Sequence, residues 1–239
     1  MSRKPTPFRK IPDHNHVIPN FFRNFIATIL SIDMQYHKLT NRQEKLICGE
    51  TYHIYNKTVG GELLFITDID YRYFLKKLER FIVPIAKIYT YCLLPNHFHL
   101  MLKIREEEEI PTLRKIDDEK HADYITRIFG NFFQSYSKSF NKTYQRQGRL
   151  FLQPFKRIKV DDEDYFVLLV NYIHRNPIHH GLVKELYEWR YSTYQTFLSK
   201  KLTRIDREEV LSFFGSLEEF VRFHEENKMK PGTEKYYLE

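Results

Sequence analysis

The chain predicts an α+β protein: a four-stranded antiparallel sheet of the split βαβ, ferredoxin-like kind, with helices packed on it and extensions at both ends. Three observations predict this. Four stretches alternate as strands do, long helical periodicities separate them, and the order reads strand–helix–strand–strand–helix–strand. At 239 residues the chain can hold one medium domain with a sizeable core.

Residues 1–48 read as a basic N-terminal extension, with Arg3, Lys4, Arg9 and Lys10 among Pro5, Pro7 and Pro12, followed by a short amphipathic helix. His14 and His16, beside Pro12 and Asn15, read as solvated loop residues. The apolar run over 21–30 is broken by Arg23 and Asn24 and starts too late for an ordinary signal peptide.

Residues 49–195 form the expected main domain. Positions 51–57 alternate as a first strand, and Gly60-Gly61 turns the chain. A helix follows from Asp68, with Tyr71, Phe74, Leu75 and Leu78 facing inward. Residues 85–94 and 97–104 make two strands joined by a tight Pro95-Asn96 turn, and the charge run 106–109 is a solvated loop. A second helix spans 122–144, its buried stripe marked by Phe129, Phe132, Phe133, Tyr136 and Phe140. Residues 155–160 are the fourth strand.

Asp161 to Asp164 then supply the cap and acidic first turn of a third helix, as its positive end favours. Phe166, Leu169, Val170 and Ile173 are its buried stripe, and Pro177 and Gly181 close it. Residues 196–239 read as a small helical appendage, with helices over 207–214 and 217–226 and a disordered tail.

Two pairs of residues carry potential chemistry. In a strand, His97, His99 and Met101 share one face, and Phe98, Leu100, Leu102 and Ile104 the other. The two imidazoles can converge on one metal ion, or serve as ordinary strand histidines. On the third helix Tyr172 and Asn176 stand four apart, so a phenol and an amide share one face at the edge of the apolar stripe. The same spacing suits an amphipathic filler and a cap before proline.

Composition narrows the partners. A net charge of +7 and a pI near 9.2 suggest a polyanion, and 17 Tyr with 20 Phe suit unstacked bases as well as a large aromatic core. From Phe129 to Val160 no acidic residue occurs, while Lys138, Lys142, Arg146, Arg149, Lys156, Arg157 and Lys159 all fall there. That interval is the expected phosphate-tracking surface. Cys48 and Cys92 stand alone, which argues against a disulfide framework or zinc ribbon and fits a reducing cytoplasm. No apolar run approaches a membrane span.

His97-Phe98-His99 after Leu94-Pro95-Asn96, with Tyr172-Ile173-His174-Arg175-Asn176-Pro177 downstream, resembles the HUH single-tyrosine transposases, in particular the REP-associated, insertion sequence 200-like branch. Residues 52–57, Gly148-Arg149-Leu150-Phe151 with Phe155-Lys156, and Trp189 with Ser192 and Tyr194 extend the likeness across roughly residues 50–195, in the family's order.

The resemblance implies the same sheet and a metal-dependent single-stranded DNA endonuclease and strand transferase acting on hairpin or palindromic DNA. Tyr172 would form a 5′-phosphotyrosine link, and His97, His99 and Asn176 would hold a divalent metal, Mg2+ or Mn2+. The mobile-element branch often carries glutamine where Asn176 stands, so this chain offers a shorter side chain at that position. No nucleotide cofactor is expected, in keeping with the lack of a Gly-rich phosphate loop. His174 reads as structural or DNA-facing, and the resemblance allows a monomer or a homodimer. The alternative is a non-catalytic single-stranded DNA- or RNA-binding protein of the same fold.

Overall fold

The computed structural model describes residues 44–152 and 154–227. Within them, β1 (Thr51–Lys57), β2 (Ala86–Leu94), β3 (His97–Ile104) and β4 (Lys156–Lys159) form one antiparallel sheet in the order β2–β3–β1–β4. This is the split βαβ order, so the expected α+β class holds. The basic arm over 1–43 and the tail from 228 lie outside the described residues.

The period-2 alternation of β3 divides the molecule in two. Phe98, Leu100, Leu102 and Ile104 meet Tyr52 and Ile54 of β1 on one face. Over them lie α1 (Asp68–Phe81) and α2 (His121–Thr143), contributing Phe74, Leu78, Phe129, Phe132, Phe133 and Tyr136. Edge-to-face pairs such as Phe74 with Phe132, centroids 5.0 Å apart, knit this layer. Truncating a fully buried ring such as Phe98 to alanine would cost about 3–5 kcal/mol. The helix start is fixed by Asp70, whose carboxylate accepts from the Ile66 and Thr67 amides at 3.0 and 2.8 Å and from the Tyr144 hydroxyl at 2.8 Å.

The opposite face carries His53, Tyr55, His99 and Met101. It is covered by α3 (Glu163–His179), with α4 (Tyr194–Leu198), α5 (Arg207–Phe214) and α6 (Leu217–Glu226) behind it. The Asp162 side chain caps α3 by accepting from the Tyr165 amide at 2.7 Å, as the acidic cluster implied. Pro177 does not close this helix. It sits inside the last turn, where a missing N–H removes one bond, and the helix continues to His179. Gly181, at φ 66°, then makes the turn.

β2 holds a bulge invisible in the alternation. Ile88 pairs with Leu102 and Thr90 with Met101, leaving Tyr89 as the extra residue. Thr90 is thereby turned toward α3, although in a regular strand it would share the face of Ile88. The outer edge of β2 is covered by later chain: the Leu93 amide donates to the Tyr191 carbonyl at 2.9 Å, and the Asp206 amide to the Ile88 carbonyl at 2.9 Å.

Candidate active site

The Pro95-Asn96 turn and β3 place His97 at the end of the sheet and His99 one pleat inside it, with rings 5.3 Å apart and nearly perpendicular. His97 is partly exposed, whereas His99 is 3% exposed. From above, α3 lowers the Tyr172 ring edge-on to His99, centroids 5.4 Å apart. One turn on, the buried Asn176 side chain comes close to His97, and its Nδ2 donates to the Tyr172 carbonyl at 3.2 Å. Thus His97, His99, Tyr172 and Asn176 converge from two elements, the histidines and the Tyr172–Asn176 pair being more than 70 residues apart in sequence.

Both imidazoles are held neutral. Burial, then the neighbouring His180 and the Lys57 charge, push His97 down to about 4, partly offset by the nearby Asn176 amide. Burial and the adjacent His53, His97 and His180 hold His99 well below the ordinary histidine range. Neutral imidazole is the ligating form.

A divalent ion fits this donor set. Asn96 Oδ1 accepts from His97 Nδ1 at 2.7 Å, which fixes the proton there and puts the lone pair on Nε2. His99 Nδ1 bonds His53 Nε2 at 3.0 Å, and its Nε2 makes no hydrogen bond to the described residues. Orientation of a ligand histidine through its other nitrogen is how metal sites are built. With the Asn176 amide oxygen, the set is two nitrogens and one oxygen, and positions would remain for phosphate oxygens and water.

Several neighbours were not singled out in the sequence. His53 and Tyr55 come from β1, and the Tyr55 ring lies 4.9 and 5.9 Å from the His53 and His99 rings, themselves 5.2 Å apart. The His180 ring lies 4.8 Å from His97, and the His179 ring 6.1 Å from Tyr172. Strand register pairs Lys57 with His97, which places this exposed cation at the mouth. The alternation of residues 52–57 contains the signal for His53 and Tyr55, but only the pairing with β3 shows what they touch.

The seven expected phosphate contacts do not form one surface. Lys138, Lys142 and Arg149 are exposed, and Lys156 pairs with Tyr55 on the histidine side of the sheet. Arg157 points the other way: it is buried, stacked over Phe155 at 4.9 Å and bonded to the Glu44 carbonyl. Lys159 pairs with Glu50 at 3.0 Å, and Arg146 is tied to Glu62 and to the Arg149 carbonyl. Alternation along β4 explains the split, because neighbours on a strand face opposite sides.

A second group with metal-binding atoms, Glu107, Asp118 and His121, lies where the chain passes from β3 to α2. Ligand atoms of the three fall within 4.8 Å of one another. His121 Nε2 is turned inward, donating to the Leu113 and Ile116 carbonyls at 3.1 and 3.2 Å. That role is a staple for the loop.

No family model matches the chain. It is 26% identical over 105 residues to the "Putative REP-associated tyrosine transposase" of Haemophilus influenzae, a match covering 43% of this chain and 56% of that protein. The chain thus spans about half the length of this curated relative. A solved structure, a REP-associated tyrosine transposase bound to a REP hairpin, superposes with a TM-score of 0.49 at 19% identity. That superposition covers 69% of this chain and 88% of the other. The resemblance read from the residues is therefore matched by sequence homology to a REP-associated tyrosine transposase.

Proposed function

We propose that this protein is a metal-dependent nuclease and strand transferase for single-stranded or hairpin DNA, with Tyr172 as its nucleophile. One observation carries the reading: Tyr172 stands edge-on to His99 while Asn176, one turn later, reaches His97. Tyr172 Oη would form a bond to phosphorus as the bond to the 3′ oxygen breaks. The phenolic proton would leave to solvent, and the departing oxygen would gain one. His97, His99 and Asn176 would hold a divalent ion, Mg2+ or Mn2+, which when bound supplies charge neutralisation on the scissile phosphate.

The protein's own residues set the geometry. His53 and Asn96 orient the two imidazoles, and Lys57 and Lys156 offer cations on the histidine side for flanking phosphates. The phosphotyrosine link conserves the energy of the broken linkage, so resealing needs no nucleotide. The closeness of Tyr172 to His99 within one chain supports a site built by a single protomer. Among the described residues no helix is long and apolar enough to cross a membrane.

The test is covalent trapping. Labelled single-stranded hairpin oligonucleotides are incubated with the full chain and Mn2+, then resolved on a denaturing gel. A labelled protein band lost in Tyr172→Phe, in His97→Ala and with chelator is the expected result. Tight hairpin binding without any adduct would overturn the catalytic reading in favour of a binding protein of the same fold.

A further inference from the structure

The polar side of α3 turned away from Tyr172 is as deeply buried as the site itself. Asn171, His174 and Arg175 are all buried, and none of them has a part in the chemistry above. They meet α6 and the edge of β2. His224 Nδ1 lies 2.8 Å from the Phe220 carbonyl, which can only accept, so His224 carries its proton on Nδ1 and accepts at Nε2. His174 Nδ1, 2.9 Å from that Nε2, must therefore be the donor. His174 Nε2 is then the acceptor for a threonine hydroxyl, with Thr90 at 2.8 Å and Thr193 at 3.0 Å. The two threonines bond each other at 2.6 Å, and Thr193 Oγ1 accepts from the Tyr91 amide at 3.1 Å.

The result is a hydrogen-bond chain from the edge strand, through the catalytic helix, to α6. The Phe220 carbonyl at its α6 end fixes both histidine tautomers. Beside it, Arg175 donates to the His224 carbonyl, and Asn171 Nδ2 to the Asn227 carbonyl at 3.1 Å. These carbonyls belong to the C-terminal end of α6, where helix carbonyls lack internal partners and a cation is favoured. His174 follows Tyr172 by two residues, about 200° around the helix. A link there opposes rotation of the helix about its axis, the motion that would swing Tyr172 away from His99.

We infer that α6 is part of the active-site assembly, and that His174 and His224 are positioning residues which set the azimuth of the Tyr172 helix. Apolar packing alone would tolerate small rotations, because hydrophobic contact is non-directional. A chain of directed hydrogen bonds does not. The inference rests on Tyr172 as nucleophile for its kinetic consequence, while the geometry itself can be read without activity.

The experiment uses the full chain with 3-fluorotyrosine placed at 172 and observed by fluorine NMR, alongside the single-turnover rate of adduct formation. His224→Leu removes the acceptor for His174, whereas His224→Gln retains one. Val210→Ala loosens the same core without touching the chain, and Asn171→Ala is a milder break that leaves both histidines in place. The expected result is a shifted or broadened resonance and a rate about 100-fold lower in His224→Leu, the loss that a displacement near 1 Å can cause.

Near wild-type behaviour is expected in His224→Gln and Val210→Ala, and an intermediate change in Asn171→Ala, which serves alone if His224→Leu does not fold. An unchanged Tyr172 resonance in both His224→Leu and Asn171→Ala would overturn the inference. So would equal disturbance by Val210→Ala, which would make the effect general loosening. A wild-type protein that forms no adduct but shows the expected resonance pattern would sink the nuclease reading and leave the positioning intact.

Discussion

Two histidine pairs lie on the same side of the sheet: His97 with His99, and His174 with His224. His99, His174 and His224 are almost wholly buried, and all four imidazoles are held below the ordinary range chiefly by burial. Burial and titration therefore do not distinguish the pairs. Their nitrogens do. Every ring nitrogen of His174 and His224 has a protein partner, and Phe197, Phe220 and Tyr194 close around them. His97 and His99 instead have their Nδ1 atoms bonded to Asn96 and His53, while neither Nε2 makes a hydrogen bond to the described residues. A perturbed histidine marks a candidate site only when a lone pair is left for chemistry.

The sharpest way to break this contrast is to remove the proposed nucleophile. Tyr172→Phe should lower adduct formation by on the order of 10³-fold or more while hairpin affinity, read by gel shift, stays near wild type. A variant that still forms the adduct would show that another side chain attacks. The next effect concerns the inner partner of His99. His53→Ala should weaken Mn2+ binding about 10–100-fold by calorimetry, the usual cost of losing an orienting partner. Unchanged affinity would mean that His53 is only packing.

These contrasts were unevenly legible in the sequence. The face shared by His97 and His99, and that shared by Tyr172 and Asn176, follow from strand and helix periods, which are local properties. The aromatic stripe of α2 was legible for the same reason. What His53, His179 and His180 touch depends on strand pairing and on the turn after α3, both set by distant packing. The bulge at Tyr89 left no mark on the alternation, yet it is what turns Thr90 toward His174. Pro177 misled about the helix end because the loss of one bond near a terminus is tolerated when the surrounding helix is buried.

A third prediction separates the pairs by acid. Burial holds His224 down to about 3 in the folded protein, against about 6.5 for an unperturbed histidine. The unfolded chain thus binds more protons across that window. The stability contributed by keeping His224 neutral is fully present above pH 6.5 and is lost as pH falls toward 3. From pH 6.5 to 5 this one group should cost roughly 2 kcal/mol. His174, which it contacts directly, adds loss in the same direction, while the Arg175 guanidinium beside them stays charged throughout. Urea unfolding from pH 7 to 5 should show this slope, and His224→Gln should flatten it. An unaltered slope in that variant would place the acid sensitivity elsewhere, with His97 and His99 the next groups to test.

The smallest effect carries the same reasoning to the cations of β4. Lys156 and Arg157 are adjacent and were equally plausible phosphate contacts by composition. Arg157 is stacked on Phe155 and bonded to the Glu44 carbonyl, so its charge serves the fold. Lys156 lies on the histidine side opposite Tyr55 and makes no ion pair with the described residues. Each phosphate contact contributes about 0.7 to the slope of log affinity against log salt for single-stranded DNA. Lys156→Ala should therefore reduce that slope by roughly 0.7 with the melting temperature nearly unchanged. Arg157→Ala should leave the slope alone and lower stability by about 2 kcal/mol, the scale of one cation–π contact with a desolvated ring. Fluorescence titrations of a labelled hairpin at several salt concentrations would read the first number, and thermal unfolding the second. If the two variants exchanged behaviours, DNA would have to approach from the α1–α2 side, and the histidine face could not be where the backbone is cut.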